Sequence, residues 1–298
     1  MTLLLNFMTG IDMNRGYICL VQNNSTTDYL RLAYAMALSI RNTQSKIRKL
    51  SIVTDQKDIP QKYKEVFDNI IEIRNDRATE SDWKLHNIVD LYEYTPYDET
   101  VMLDSDMLFL DDVSHWWDKF QERDLWFTTN TRTYQNEPAP TNTIYRQEFI
   151  KNNLPSVYNA FFYFKKADKS KELFEQMKLI CENWDYFVNI HLYKRKPKIF
   201  STDVAFGLAV KILGLKDKAT LPELCFPYFT HMKTTNQNWN LSTFELDEDW
   251  TKYPPISFDE FNNTLGIKIG NVRQFGILHY HIKTFLTDEM LEILEGIR

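Results

Sequence analysis

Two aspartates stand one residue apart in the stretch Glu99 to Val113, ETVMLDSDMLFLDDV, directly after the apolar run Val101-Met102-Leu103. A carboxylate beside such a run is costly to desolvate unless a partner compensates its charge. Placed at i and i+2 where a strand gives way to a turn, Asp104 and Asp106 can converge on one hard divalent cation. Mg²⁺ and Mn²⁺ favour such oxygen ligands and share them with phosphate-bearing substrates. The Asp-x-Asp pattern alone has little specificity. A second triplet, Asp247-Glu248-Asp249, follows no apolar strand and reads as a solvated acidic loop.

A second set of reactive side chains lies in FGILHYHIKTF, Phe275 to Phe285. Read as a strand, it puts His279, His281 and Lys283 on one face and Leu278, Tyr280 and Ile282 on the other. Two imidazoles and an ammonium make a poor core surface. They suit a third metal ligand and a contact to a diphosphate, because imidazole is a common divalent ligand and lysine a point charge for phosphate. The plain structural reading is an exposed edge strand with incidental histidines.

The elements that must position these groups alternate between strand and helix. YICLV (Tyr17 to Val21) is a short apolar run followed by QNNSTTD, a cluster of turn and N-cap residues. From Tyr29 to Arg41, apolar residues recur three and four apart, which predicts a helix. KLSIVTD and NIIEI are the next strands, separated by a helical segment around QKYKEVF. A further helix, Trp83 to Tyr94, leads into the strand Thr100 to Leu103. Strand-helix alternation predicts a mostly parallel sheet covered on both faces, with ligands gathered beyond the carboxyl ends of the strands. Asp104 and Asp106 fall at such an end.

Composition narrows the function classes. The 298 residues are 43% hydrophobic, 14% aromatic and 26% charged, ample for a large core and unlike a disordered chain. One main domain is expected. A net charge of -6 argues against a broad nucleic-acid surface, although Lys194, Arg195, Lys196 and Lys198 form a local basic cluster, ordinarily a solvated turn. Cys19, Cys181 and Cys225 are few and widely spaced, which disfavours a disulfide frame or a structural zinc site. The N-terminal MTLLLNFMTGIDMNRG has no basic start, and no window reaches the roughly 20 apolar residues of a spanning helix. A cytoplasmic location without membrane insertion is the expectation.

Several segments, in order, resemble a GT-A glycosyltransferase of the glycogenin-like and galactosyltransferase-like group often called family 8. They are ICLVQNNSTTDYLRLAYAMALSI, WKLHNIVDLYEYTPYDETVMLDSDMLFL, VYNAFFYFKK, FSTDVAFGLAV and ILHYHIK. The resemblance runs from Tyr17 to Lys283. It implies a Rossmann-like α/β fold in a single domain, residues 1–113 forming the nucleotide-sugar half and 114–298 the acceptor side.

Residue by residue, it implies that Asp104 and Asp106 are the DXD pair binding Mn²⁺ or Mg²⁺, with Ser105 between them at the nucleotide and His279 as third ligand. Lys283 matches the lysine that holds the leaving diphosphate. This chain lacks the family's usual glycine and Pro-Trp around that lysine, so His281 stays open as the ligand in place of His279. Lys84 falls where a basic residue contacts the nucleotide, and Val21, Gln22, Asn23 and Tyr29 where the base is surrounded. Asn159 and Asp203 fall where donor sugar or acceptor is contacted. From the residues alone, Asp203 also reads as a cap of the helix through Leu213.

The implied reaction transfers a sugar from a nucleoside-diphosphate sugar, a UDP-sugar by family resemblance. Asp203 would act as base for inversion; for retention the departing phosphate takes the proton. The acceptor is a carbohydrate or, as in similar chains of large bacteriophages, a hydroxymethylated DNA base reached through the Lys194–Lys198 cluster. VMLDSDMLFL also resembles the first motif of haloacid-dehalogenase-type phosphatases, although it lies late in the chain for that group and leaves the histidines without a role. The third reading is a non-catalytic module binding nucleotide-sugar or glycan.

Overall fold

A computed structural model describes residues 14–79, 81, 83–129, 131–139, 146–221, 226–232 and 255–297. The triplet Asp247–Asp249, Cys225 and the first 13 residues lie outside them. Strand β1 (Arg15–Val21) leads through Asn23 and Asp28 into helix α1 (Tyr29–Thr43). The Asp28 carboxylate accepts from the Arg31 amide, and the Asn23 side-chain oxygen accepts from the Leu30 amide at 3.1 Å. These two caps start the helix where the cluster of turn residues predicts it. Next come β2 (Leu50–Thr54), a short α2 (Gln61–Lys64) and β3 (Asn69–Glu72).

The helix expected from Trp83 to Tyr94 differs in kind. It is a 3₁₀ helix from Lys84 to Asp90 that becomes α-helical only at α3 (Leu91–Tyr94). It is tied to neighbouring segments through the Asn87 side chain, which bonds Arg77, Asp76 and Gln22. Strand β4 (Glu99–Leu103) follows, then β5 (Met107–Phe109), α4 (Trp116–Phe120), β6 (Leu125–Thr128), α5 (Gln147–Asn152) and β7 (Tyr158–Lys165). Four helices, α6 (Asp168–Glu182), α7 (Trp184–His191), α8 (Thr202–Ile212) and α9 (Lys216–Ala219), precede β8 (Thr230–His231). The chain ends in β9 (Ile256–Phe261), β10 (Thr264–Ile269), β11 (Val272–Arg273), β12 (Ile277–His279) and α10 (Asp288–Gly296).

The central sheet has the order β3-β2-β1-β4-β7-β6. The first four strands are parallel, and β7 runs antiparallel to both β4 and β6. Its strands therefore come from both sides of position 113. Alternation along the strands feeds two apolar layers: Tyr17, Val101 and Leu103 face one, Ile18 and Met102 the other. Trp116 and Trp117 are core residues of the first layer. In the second layer Phe127 and Phe162 stack at 3.9 Å. Covering both faces is what a parallel sheet requires, so the sequence-based expectation of a mixed α/β fold holds.

A small second sheet, β5-β12-β8, positions the C-terminal histidines. His279 pairs with Met107 on one side and with His231 on the other. Gly276, at φ +69, makes the left-handed turn that brings the chain into β12. The strand expected to run to Phe285 stops at His279. His281 has φ +59, which breaks the alternation, and Lys283–Phe285 forms a 3₁₀ turn.

Candidate functional site

The carboxyl end of β4 opens into a cavity of about 960 Å³, within the size range of a ligand site. The Asp104 amide donates to the Ala160 carbonyl at 3.0 Å, so the neighbouring β7 fixes where the strand ends. The Asp106 carbonyl in turn accepts from the Tyr280 amide at 3.1 Å. This bond ties the aspartate turn to the residues just after β12.

The side chains converge there. His279 Nε2 lies 3.1 Å from Asp106 Oδ1 and 3.8 Å from Asp104 Oδ2. Lys283 Nζ bonds the other oxygen of Asp106. One ligand atom each from Asp106, His279 and His281 falls within a 4.8 Å cluster. His279 Nδ1 is buried without a hydrogen-bond partner. An oxygen and two imidazole nitrogens, with a second carboxylate adjacent, fit a divalent transition-metal ion.

Electrostatics distinguish the two aspartates. Asp104 keeps 32% of its side-chain surface, open to the cavity, yet burial pushes its carboxyl up to about 6 against the attraction of His279. Burial also opposes the charge of Asp106, but His279 and Lys283 beside it hold its carboxyl well below the usual carboxylate range. Burial disfavours the Lys283 ammonium too, and Asp106 more than offsets this, so the ammonium holds its proton more tightly than in water.

Sequence reading missed one member of this group. The His231 ring is 4.7 Å from that of His279 and 5.9 Å from that of His281, and His231 lines the cavity. It lies on a two-residue strand with no motif around it.

Gln22, Tyr29, Lys84 and Ser105 line the cavity. The Gln22 amide donates to Asp55 Oδ2 at 2.9 Å and its oxygen accepts from Asn87 at 2.6 Å. Lys84 Nζ donates to the Ala78 carbonyl at 2.8 Å. Lys283 Nζ stands 5.6 Å above the Tyr29 ring. Two expected contacts are turned elsewhere: Val21 is fully buried in the core, and Asn23 caps α1. Neither is among the lining residues, whereas Asn24 is.

Asn159 and Asp203 also line the cavity. Asp203 does not cap α8, whose N-cap Ser201 makes no side-chain capping bond. Instead Asp203 Oδ1 accepts from the Asn159 amide at 2.8 Å, and Oδ2 faces the Arg146 guanidinium at 3.3 Å. Arg146 is buried between the Phe149 and Tyr158 rings, at 3.6 and 4.0 Å. Thr202 donates to the Asn159 side-chain oxygen at 3.0 Å. Part of the basic cluster is in an unforeseen place: Arg195, Lys196 and Lys198 are among the residues that line this cavity.

No protein-family model matches the chain, and no curated protein matches it in sequence. Among solved structures it is similar to LgtC, a galactosyltransferase solved with donor and acceptor sugar analogues. That similarity has 11% identity and a TM-score of 0.48 over 95% of this chain and 96% of the other. It is also similar to the glycosyltransferase GlyE of Streptococcus pneumoniae (13%, TM-score 0.41, 70% of this chain and 46% of that one). A third is the bifunctional glycosyltransferase WbbM (13%, TM-score 0.38, 57% of this chain). The chain spans 46% of the length of GlyE and 35% of that of WbbM.

Proposed function

We propose that the chain is a metal-dependent glycosyltransferase, a single GT-A unit that moves a sugar from a nucleoside-diphosphate sugar to an acceptor hydroxyl. The observation that carries this reading is the convergence of Asp104, Asp106, His279, His281 and Lys283 at the carboxyl end of a parallel strand, inside one large cavity. Such strand ends are where α/β sheets bind nucleotides.

Asp106, His279 and His281 would hold the cation, with Asp104 reaching it from the cavity side. When bound, Mn²⁺ or Mg²⁺ stabilises the negative charge that grows on the leaving diphosphate. Two imidazoles in the ligand set favour Mn²⁺ over Mg²⁺, which prefers oxygen and water. Lys283 supplies a preplaced positive charge for the same diphosphate oxygens. Tyr29, Gln22, Ser105 and Lys84 form the nucleotide side of the pocket.

Asp203 is a positioning residue in this scheme. Its oxygens are engaged by Arg146 and the Asn159 amide, which supports a reaction in which the departing phosphate, rather than Asp203, takes the acceptor proton. The phosphatase reading gains no support: its second aspartate must act as an acid, whereas one oxygen of Asp106 is held by the Lys283 ammonium and the other by the His279 ring.

A panel of nucleotide-sugars tests the proposal. Diphosphate release should need Mn²⁺, stop on chelation and fall in Asp106→Asn. Release that survives both would remove the mechanism.

A further inference from the structure

Ten large apolar side chains are exposed among the described residues, and five of them, Ile150, Tyr186, Ile190, Tyr193 and Ile199, lie on α5, α7 and the loop after α7. Tyr193 is 81% exposed, Tyr186 63% and Ile199 59%. Scattered exposed apolar residues are ordinary; a concentration on neighbouring elements is not.

Hydrogen bonds join those elements into one surface. The Asn152 side chain at the end of α5 accepts from the Tyr193 and Lys194 amides at 2.8 and 3.1 Å and donates to the Arg195 carbonyl at 2.8 Å. Arg195 pairs with Glu148 of α5 at 2.6 Å, and Lys196 Nζ donates to Asn189 of α7 at 2.9 Å. Tyr186 and Ile190, four apart, share one face of α7. Lys151, Lys194, Lys196 and Lys198 are interspersed and exposed. The same loop reaches the mouth of the cavity, where Lys196, Lys198 and Ile199 are lining residues.

We infer that this surface docks the chain on an anionic membrane, with the cavity mouth at headgroup level. Isoleucine gains nothing against a phosphodiester backbone, and lysine is depleted from the cores of protein interfaces. The boundary between headgroups and acyl chains accommodates both, because apolar side chains enter it while lysines keep their charge among lipid phosphates. The chain's net charge of -6 makes this local basic surface the part that an anionic bilayer attracts. Given the reading above, on which this step rests, the acceptor is a saccharide carried on a lipid. The attachment proposed is peripheral, through this surface; no helix of the described residues is long and apolar enough to cross a membrane.

Vesicle sedimentation of the full chain tests the surface without donor or turnover. Vesicles containing phosphatidylglycerol should bind the protein, and vesicles of phosphatidylcholine alone should bind it far less. Tyr186→Ser/Ile190→Ser/Tyr193→Ser, and separately Lys151→Ser/Lys194→Ser, should each lower the partition coefficient about tenfold. A single Tyr193→Ser should show a smaller loss with an unaltered melting temperature. Metal-dependent nucleotide binding should stay as in the wild type in all three, which separates failure of this surface from failure of the catalytic reading.

Three results would overturn the proposal. They are equal binding to both vesicle types, vesicle binding that the apolar substitutions leave intact, and self-association or duplex-DNA binding, in the absence of vesicle binding, that the same substitutions abolish.

Discussion

Two carboxylates that line the cavity, Asp203 and Asp106, are held in opposite ways. Asp203 is enclosed by an Arg146 guanidinium and a backbone amide, and Arg146 is itself clamped between two aromatic rings. Asp106 faces movable or titratable groups only: an imidazole on one oxygen and a lysine ammonium on the other, with a second imidazole within 4.8 Å. A carboxylate whose partners belong to the frame is part of that frame. One whose partners are ligands and a long, flexible cation can exchange them for a substrate's metal.

The contrast can be broken by substitution, most sharply at Asp106. Asp106→Asn should cut metal-dependent turnover by about 10²–10³-fold, the scale of losing one preorganised electrostatic group. Its melting temperature should change little, because a costly buried charge is removed along with its pairing. A large drop in melting temperature would mean that Asp106 is frame as well.

Arg146→Ala should do the reverse. It takes the guanidinium away from the buried Asp203 carboxylate, a loss of about 3–5 kcal/mol measured by denaturant unfolding, while Mn²⁺ affinity stays near that of the wild type. Losing even an outer partner of a metal ligand costs about 10–100-fold in affinity, so His279→Ala and His281→Ala should each weaken Mn²⁺ binding at least that much. His279, which faces both aspartates, should show the larger effect. If only one histidine matters, the other belongs to the pocket wall. Thr202→Val should have the smallest effect, about 1 kcal/mol for its bond to Asn159, with metal binding unchanged.

How much of this was legible in the sequence follows from how local each signal is. An apolar run ending in two aspartates is a local pattern, and β4 with Asp104 and Asp106 stands where that pattern put it. The caps at Asn23 and Asp28 were legible as a turn cluster, although Asn23 was assigned to the base rather than to the helix. The face shared by His279, His281 and Lys283 was inferred from strand alternation. They do meet in the cavity, but by a left-handed residue and a 3₁₀ turn that a period of two cannot reveal.

What stayed hidden depends on contacts between distant segments. The Arg146–Asp203 pair joins residues 57 apart, and His231 sits on a strand of two residues formed by pairing with β12 and by a bridge to Arg132. The basic cluster was visible as composition. Its position at the cavity mouth follows from Asn152 and Glu148, which hold the loop from another helix.

Calorimetric titration of UDP, with and without Mn²⁺, into the wild-type protein, Asp106→Asn and Thr202→Val tests the central claim most directly. The Asp106 and histidine cluster as the cation-dependent donor site requires Mn²⁺-dependent binding in the wild type and in Thr202→Val, and its loss in Asp106→Asn. Equal UDP binding by all three proteins, indifferent to Mn²⁺, would contradict it.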